Sequence, residues 1–358
     1  MQKFPIIKHF KNRQYTISKG TCIFDMFTKL DEKKEGWLWI IIFPLLLFLI
    51  SYYGFESSYV RLKSMEKVPD FMFSSVYAYR VIPNYLSVHV TEAFTALVNA
   101  LPPFVRSFLL KNGSLFYHSI FLINAAFFIL SSWVLDRILK LEPADLLSGP
   151  TVRRLIHLIC IFFLVIVQYV PTNCDSIAVF FYLWGLFFSL KYFKTQKSQD
   201  LIAIALIIFV STLVRETACL NIAFFAAIAV DVQLLKKGNY HIIKELLLLV
   251  IAFILPYAGL RIIIPQQASF FEGIYLLKNF TSPYNLAGML FGVISIYFGY
   301  RMADQMGKIV IKKYLFFSLP YLIMVALVGL FWETRLFIPL ILTGIIIASY
   351  QFKKYRPQ

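Results

Sequence analysis

The sequence predicts an all-α integral membrane protein with about ten transmembrane helices and amphipathic interfacial helices in its first outer loop. Three observations predict it. Of 358 residues, 59% are hydrophobic and only 15% are charged, more apolar surface than a water-soluble domain of this length buries. The apolar residues gather into ten runs of helical length. The Lys and Arg residues collect between alternate runs.

Residues 1–36 are basic and polar and lack a short apolar core followed by a small-residue cleavage site, so they read as a cytoplasmic tail. Residues 37–350 form one multi-pass domain, beginning with a retained helix over 37–53. The first outer loop follows, residues 54–113. Within it, 91–101 and 103–110 carry Ala, Leu, Val and Phe at helical spacing with polar residues between, the pattern of helices that lie flat on a membrane interface. The next runs are 115–134, 156–171 and 176–190.

Residues 201–229 contain neither Gly nor Pro, yet they read as two helices, 201–214 and 217–229, broken at Arg215-Glu216. A single helix would carry Lys236, Lys237 and Lys244 outside, against the positive-inside bias. Runs over 246–264 and 284–300 follow. Residues 315–350 number 36, roughly 54 Å as helix against a hydrocarbon core of about 30 Å. They read as 315–332 and 336–350, turning back at Glu333 to Arg335. Residues 351–358 form a second cytoplasmic tail.

The net charge of +16 follows from topology and not from nucleic-acid binding. With the N-terminus inside, cytoplasmic segments hold 25 of the 35 Lys and Arg residues: eight before Trp37, then four, three, three and four in successive loops, and three at the C-terminus. This orients the chain as a multi-pass protein of the cell membrane with both termini cytoplasmic. The four cysteines have no disulfide or zinc spacing, and no histidine pattern supports a divalent metal. No phosphate-binding glycine loop, GxSxG or HExxH occurs. No cofactor is implied.

Ionisable residues near membrane depth are costly, and here they gather at the outer face: Asp175, Arg215 with Glu216, and Glu333 with Arg335, joined by Asp70 and Arg80 of the first loop. The flanking helices are short, so their tips are expected to lie below the outer surface around a recessed, water-accessible pocket. The alternative is that these are paired charges that only anchor helix ends.

Four segments carry a resemblance: YAYRVIPNYL (77–86), PTNCDSIAVFFYLWGLFFSL (171–190), STLVRETACL (211–220) and ETRLFIPLIL (333–342). Their order resembles bacterial multi-pass proteins of the GT-C glycosyltransferase-like superfamily. The resemblance implies transfer of a sugar from a polyprenyl-phosphate-linked donor to a glycan or lipid-linked acceptor on the outer face, with membrane lipids as surroundings. It implies an acidic general base in the first outer loop, for which Glu56 and Asp70 are the two candidates. YYGFES stands where relatives have Tyr-Asp-Gly. Tyr79, Arg80, Asp175, Arg215, Glu216, Glu333 and Arg335 become the expected substrate-binding residues, the arginines matching a phosphate leaving group. Two rival readings are a polysaccharide polymerase or ligase and a lipid-linked sugar flippase. The first usually has a large late outer loop, whereas 265–283 is small; the second calls for repeats and mid-membrane charges.

Overall fold

The computed structural model describes residues 23–34, 36–54, 63–73, 77–145, 149–167, 173–231, 233, 236, 238, 240–264 and 273–352. Among these residues the chain is helical, with no strand and a single isolated bridge between Pro143 and Tyr350. In chain order the helices are α1 (Ile23–Lys33), α2 (Phe43–Gly54), α3 (Val81–Asn99), α4 (Pro103–Leu110), α5 (Leu115–Leu141), α6 (Pro150–Val167), α7 (Asp175–Thr195) and α8 (Ser198–Thr212). They continue as α9 (Cys219–Ala229), α10 (His241–Ile263), α11 (Leu276–Thr281), α12 (Pro283–Met302), α13 (Gln305–Phe317), α14 (Leu319–Val328) and α15 (Ile338–Ser349).

Local chemistry sets many of the ends. Ser114 caps α5, its hydroxyl accepting from the Tyr117 amide at 3.2 Å, and Asp304 caps α13 by accepting from the Gly307 amide at 2.6 Å. Pro103, Pro283, Pro320 and Pro339 sit in the first turns of their helices, where a missing N–H costs nothing. Pro320 also explains why α13 and α14 meet at 51°: it cannot donate to the preceding turn, so the helix cannot run straight through.

Among the described residues the ten apolar runs are mainly helical, with 168–171 outside the description and 315–332 divided between two helices, and both expected joints exist: α8 stops at Thr212 and the chain resumes through a 3-10 turn at Glu216–Ala218, while α14 stops at Val328 and resumes at Thr334–Phe337. The expected count of ten spans is corrected. Among the described residues, three helices are long and apolar enough to cross a membrane, Leu115–Leu141, Asp175–Thr195 and His241–Ile263, or four if the bent pair α13 and α14 is one span. The segments Leu38–Gly54, Ser198–Thr212, Glu216–Ala229 and Thr334–Ser349 are apolar but shorter. For these four the physical reason is length, since 10 to 17 residues rise about 15–26 Å against a core of about 30 Å; α12 has 20 residues, and there Asn285, Arg301 and interspersed glycines and tyrosines dilute the apolar run.

α7 is the hub. Leu183, Leu186 and Leu190 are fully buried, and the helix packs on α5, α8 and α9. Gly185 permits close approach to α9, because a Cβ there would stand 2.3 Å from Asn221 Oδ1. α10 lies at the opposite extreme, with only 11% of its apolar window buried. This hub delivers Asp175, the first residue of α7, to one end of the bundle.

Candidate functional site

Three chain breaks meet where α7 begins. Asp175 opens α7, Arg215 ends the joint after α8, and Arg335 lies in the 3-10 turn before α15. The Asp175 carboxylate bridges the two arginines: Arg215 Nη1 donates to Oδ1, and Arg335 Nη1 donates to Oδ2 at 3.1 Å. Arg335 also holds Glu333, with Nη2 2.8 Å and Nε 3.2 Å from Oε2. The side chains keep partial access, from 7% for Asp175 to 25% for Glu333.

Arg80 stands alongside with no carboxylate at ion-pair distance among the described residues, although the Glu216 charge reaches it from farther off. Its Nη1 lies 3.4 Å from Cys174 Sγ, its guanidinium is 4.7 Å from the Tyr77 ring centre, and its Nε has no hydrogen-bond partner among the described residues. Glu216 pairs with Arg261 Nη2 at 3.6 Å. Arg261 in turn stacks between Tyr79, at 4.6 Å, and Tyr257, at 3.6 Å. The site therefore gathers four guanidinium groups, Arg80, Arg215, Arg261 and Arg335, against three carboxylates, Asp175, Glu216 and Glu333. Burial first, and then the neighbouring Arg80 and Arg335 charges, lower the Arg215 pKa. An added anion would stabilise such a cluster.

Amides fasten the first loop to this mouth. Asn173 Nδ2 donates to Asn84 Oδ1 at 2.9 Å, and Asn84 Nδ2 donates to the Met72 and Tyr77 carbonyls at 2.5 and 2.9 Å. Both amides are buried. The turn Asp70–Phe73 is thereby tied to α3 and to the start of α7. Asp70 itself is exposed and makes no ion pair with the arginines. Glu56 lies outside the described residues.

Seven predicted residues thus fall in one neighbourhood: Tyr79, Arg80, Asp175, Arg215, Glu216, Glu333 and Arg335. Sequence reasoning missed Arg261, Asn84 and Asn173. The two asparagines lie inside segments 77–86 and 171–190, but neutral amides give no charge signal.

The expected recessed pocket takes a different form. The cavity bounded by Asp175, Arg215, Thr217, Arg335, Ile338 and Pro339 measures about 20 Å³, room for about one water molecule, because Asp175 fills the space between the arginines. Open space lies instead along the first loop, in a groove of about 1430 Å³ between the 63–73 segment, α3 and α4. Lys63, Lys67, Arg106 and Lys111 line it together with Glu66 and Glu92. Among the described residues, no three His, Cys, Asp or Glu side chains are grouped to hold a metal ion. No family model, curated protein or solved structure matches the chain.

Proposed function

We propose that this protein is a membrane glycosyltransferase of GT-C type, moving a sugar from a polyprenyl-phosphate-linked donor to a glycan or lipid-linked acceptor at the outer face of the cell membrane. In this reading the Lys- and Arg-rich ends, including both termini, face the cytoplasm, and the shorter apolar helices complete the bundle around the spanning ones. The observation that carries the proposal is the convergence of Arg215 and Arg335 on one carboxylate, Asp175, with Arg80 adjacent and without an ion-paired acid among the described residues. Planar guanidinium groups in this arrangement suit a phosphate.

The donor phosphate takes the place of the Asp175 carboxylate between Arg215 and Arg335. The acceptor hydroxyl oxygen then forms its bond to the anomeric carbon while the carbon–oxygen bond to phosphate breaks. A first-loop carboxylate, Asp70 or Glu56, takes the hydroxyl proton. The phosphate leaves with the bonding electrons, and the guanidinium groups stabilise its charge. The groove beside α3 supplies the acceptor site, and Asp70 belongs to the segment that contributes Val68 and Phe73 to its wall. Its volume, about 1430 Å³, exceeds the roughly 300–1,000 Å³ of small-molecule pockets and accommodates an oligosaccharide.

Reconstituted protein supplied with a polyprenyl-phosphate sugar and acceptor glycan should release polyprenyl phosphate in step with sugar transfer. Arg335→Ala should lower donor affinity and turnover together. Equal turnover with a nucleotide sugar in a preparation free of polyprenyl phosphate would overturn the proposal.

A further inference from the structure

α1 is built inside out. Its residues Thr28 and Asp31 are buried, while Met26, Phe27 and Leu30 are 55%, 48% and 55% exposed. At 100° per residue, Met26, Phe27 and Leu30 share one face and Thr28, Asp31 and Glu32 share the opposite one. A helix on a protein surrounded by water turns its apolar stripe toward the core and its charges outward. Here the order is reversed.

The reversal is held firmly. Thr28 Oγ1 meets Thr151 Oγ1 at 3.3 Å, Arg153 Nη2 pairs with Glu32, and Arg154 Nη2 lies 3.7 Å from Asp31 Oδ2. Asp31 Oδ1 also accepts from the Leu38 amide at 2.9 Å, which fixes α1 to the start of the following helix. Arg154 is fully buried and donates through Nη1 to Asp136 Oδ1 at 2.6 Å. Burying charges in this way is expensive, and it fixes which face of α1 points away from the protein.

We infer that α1 is a membrane-interface helix whose Met26, Phe27 and Leu30 face rests against phospholipid acyl chains. Three observations select lipid over a second protein. The exposed face continues along the chain into Trp37, 60% exposed, and then into the outward Ile42, Leu46, Leu49 and Ile50 of the next apolar segment. Tryptophan at such a position is typical of the lipid–water boundary. Lys29 and Lys34 are exposed beside the apolar face, where headgroup phosphates meet an interfacial helix.

The test is photo-crosslinking of the full chain in its own membrane, with p-benzoylphenylalanine in place of Phe27, of Leu30 or, as reference, of Leu255, which is 61% exposed on α10. Phospholipid adducts at Phe27 and Leu30 in yields comparable to Leu255 are expected. Lipid adducts at Leu255 with none at Phe27 and Leu30, or with adducts there to another protein chain, overturn the inference. So does the absence of lipid adducts at all three positions. The outcome is independent of the proposed sugar transfer.

Discussion

The cluster around Arg154 and the cluster around Asp175 are made of the same side-chain types and lie at opposite ends of the α5–α7 hub, yet they are built for different tasks. Arg154 is 0% exposed and Asp136 and Asp31 are 3% and 6% exposed. Lys140 adds a second cation, 2.7 Å from Asp136, so two cations face two carboxylates and the charge closes. Asp175 is equally buried, at 5%, but its cluster is unbalanced, with four guanidinium groups against three carboxylates and Arg80 without a carboxylate at ion-pair distance among the described residues. Balanced buried charge satisfies itself, whereas a surplus of one sign leaves a cluster that an added anion would stabilise. The two differ in charge balance.

The sharpest way to break the comparison is to remove the central charge of the Arg154 cluster. Arg154→Ala leaves Asp31 and Asp136 buried with only Lys140 beside the latter, and should cost about 3–5 kcal/mol, read as a large drop in melting temperature and folded yield in detergent. Gly36→Ala comes next. Gly36 has φ +80°, and an added Cβ would stand 2.5 Å from Arg154 Nη2 and 2.7 Å from Ile40 Cδ1. Left-handed backbone strain of about 1–3 kcal/mol is expected, with specific activity per folded molecule unchanged. A loss of sugar transfer without a loss of stability in either variant would mean that the Arg154 cluster is part of the site.

The bundle was legible in the sequence to the extent that hydrophobicity reports it. Among the described residues the apolar runs are mainly helical, and the charged joints at Arg215-Glu216 and Glu333 to Arg335 are true breaks, because a charge pair is tolerated there only where the helices end. Span length was read wrongly: α13 starts at Gln305 and carries Lys308, Lys312 and Lys313 before its apolar half, and Pro320, the local signal for the bend, lies inside a run read as one helix. The convergence of Asp175, Arg215 and Arg335 was readable from charges at helix mouths. The pairing of Asp31 with Arg154 and of Asn84 with Asn173 was not, since the partners are 123 and 89 residues apart and only the fold joins them. α1 escaped notice because Asp25, Lys29, Asp31, Glu32 and Lys33 made its segment read as part of a polar tail.

At the Asp175 end, Asp175→Asn sharpens the comparison from the other side. The variant weakens two ion pairs whose members keep some water access, so the stability loss should be smaller than for Arg154→Ala, about 1–3 kcal/mol. If the donor phosphate replaces the Asp175 carboxylate between the arginines, donor affinity should rise even as the melting temperature falls. Weaker or unchanged donor binding in titrations against the wild type would assign Asp175 to anchoring alone.

The smallest effect on stability is expected at Asp70, and it carries the mechanism. Asp70 is exposed and makes no ion pair with the arginines, so Asp70→Asn should stay within about 0.5 kcal/mol of wild type. The fold around it is held by other groups, since Asn84 grips the Met72 carbonyl at 2.5 Å and does not involve the Asp70 carboxylate. Any change in catalysis therefore reports chemistry and not folding. A carboxylate that removes the acceptor proton acts mainly in the transition state, so donor binding should persist while turnover falls by about 10²- to 10⁴-fold. The parallel variant Glu56→Gln divides the role between the two acids. Full turnover in Asp70→Asn with loss in Glu56→Gln would assign the base to Glu56, and full turnover in both would remove the first-loop acid from the mechanism and with it the glycosyltransferase reading.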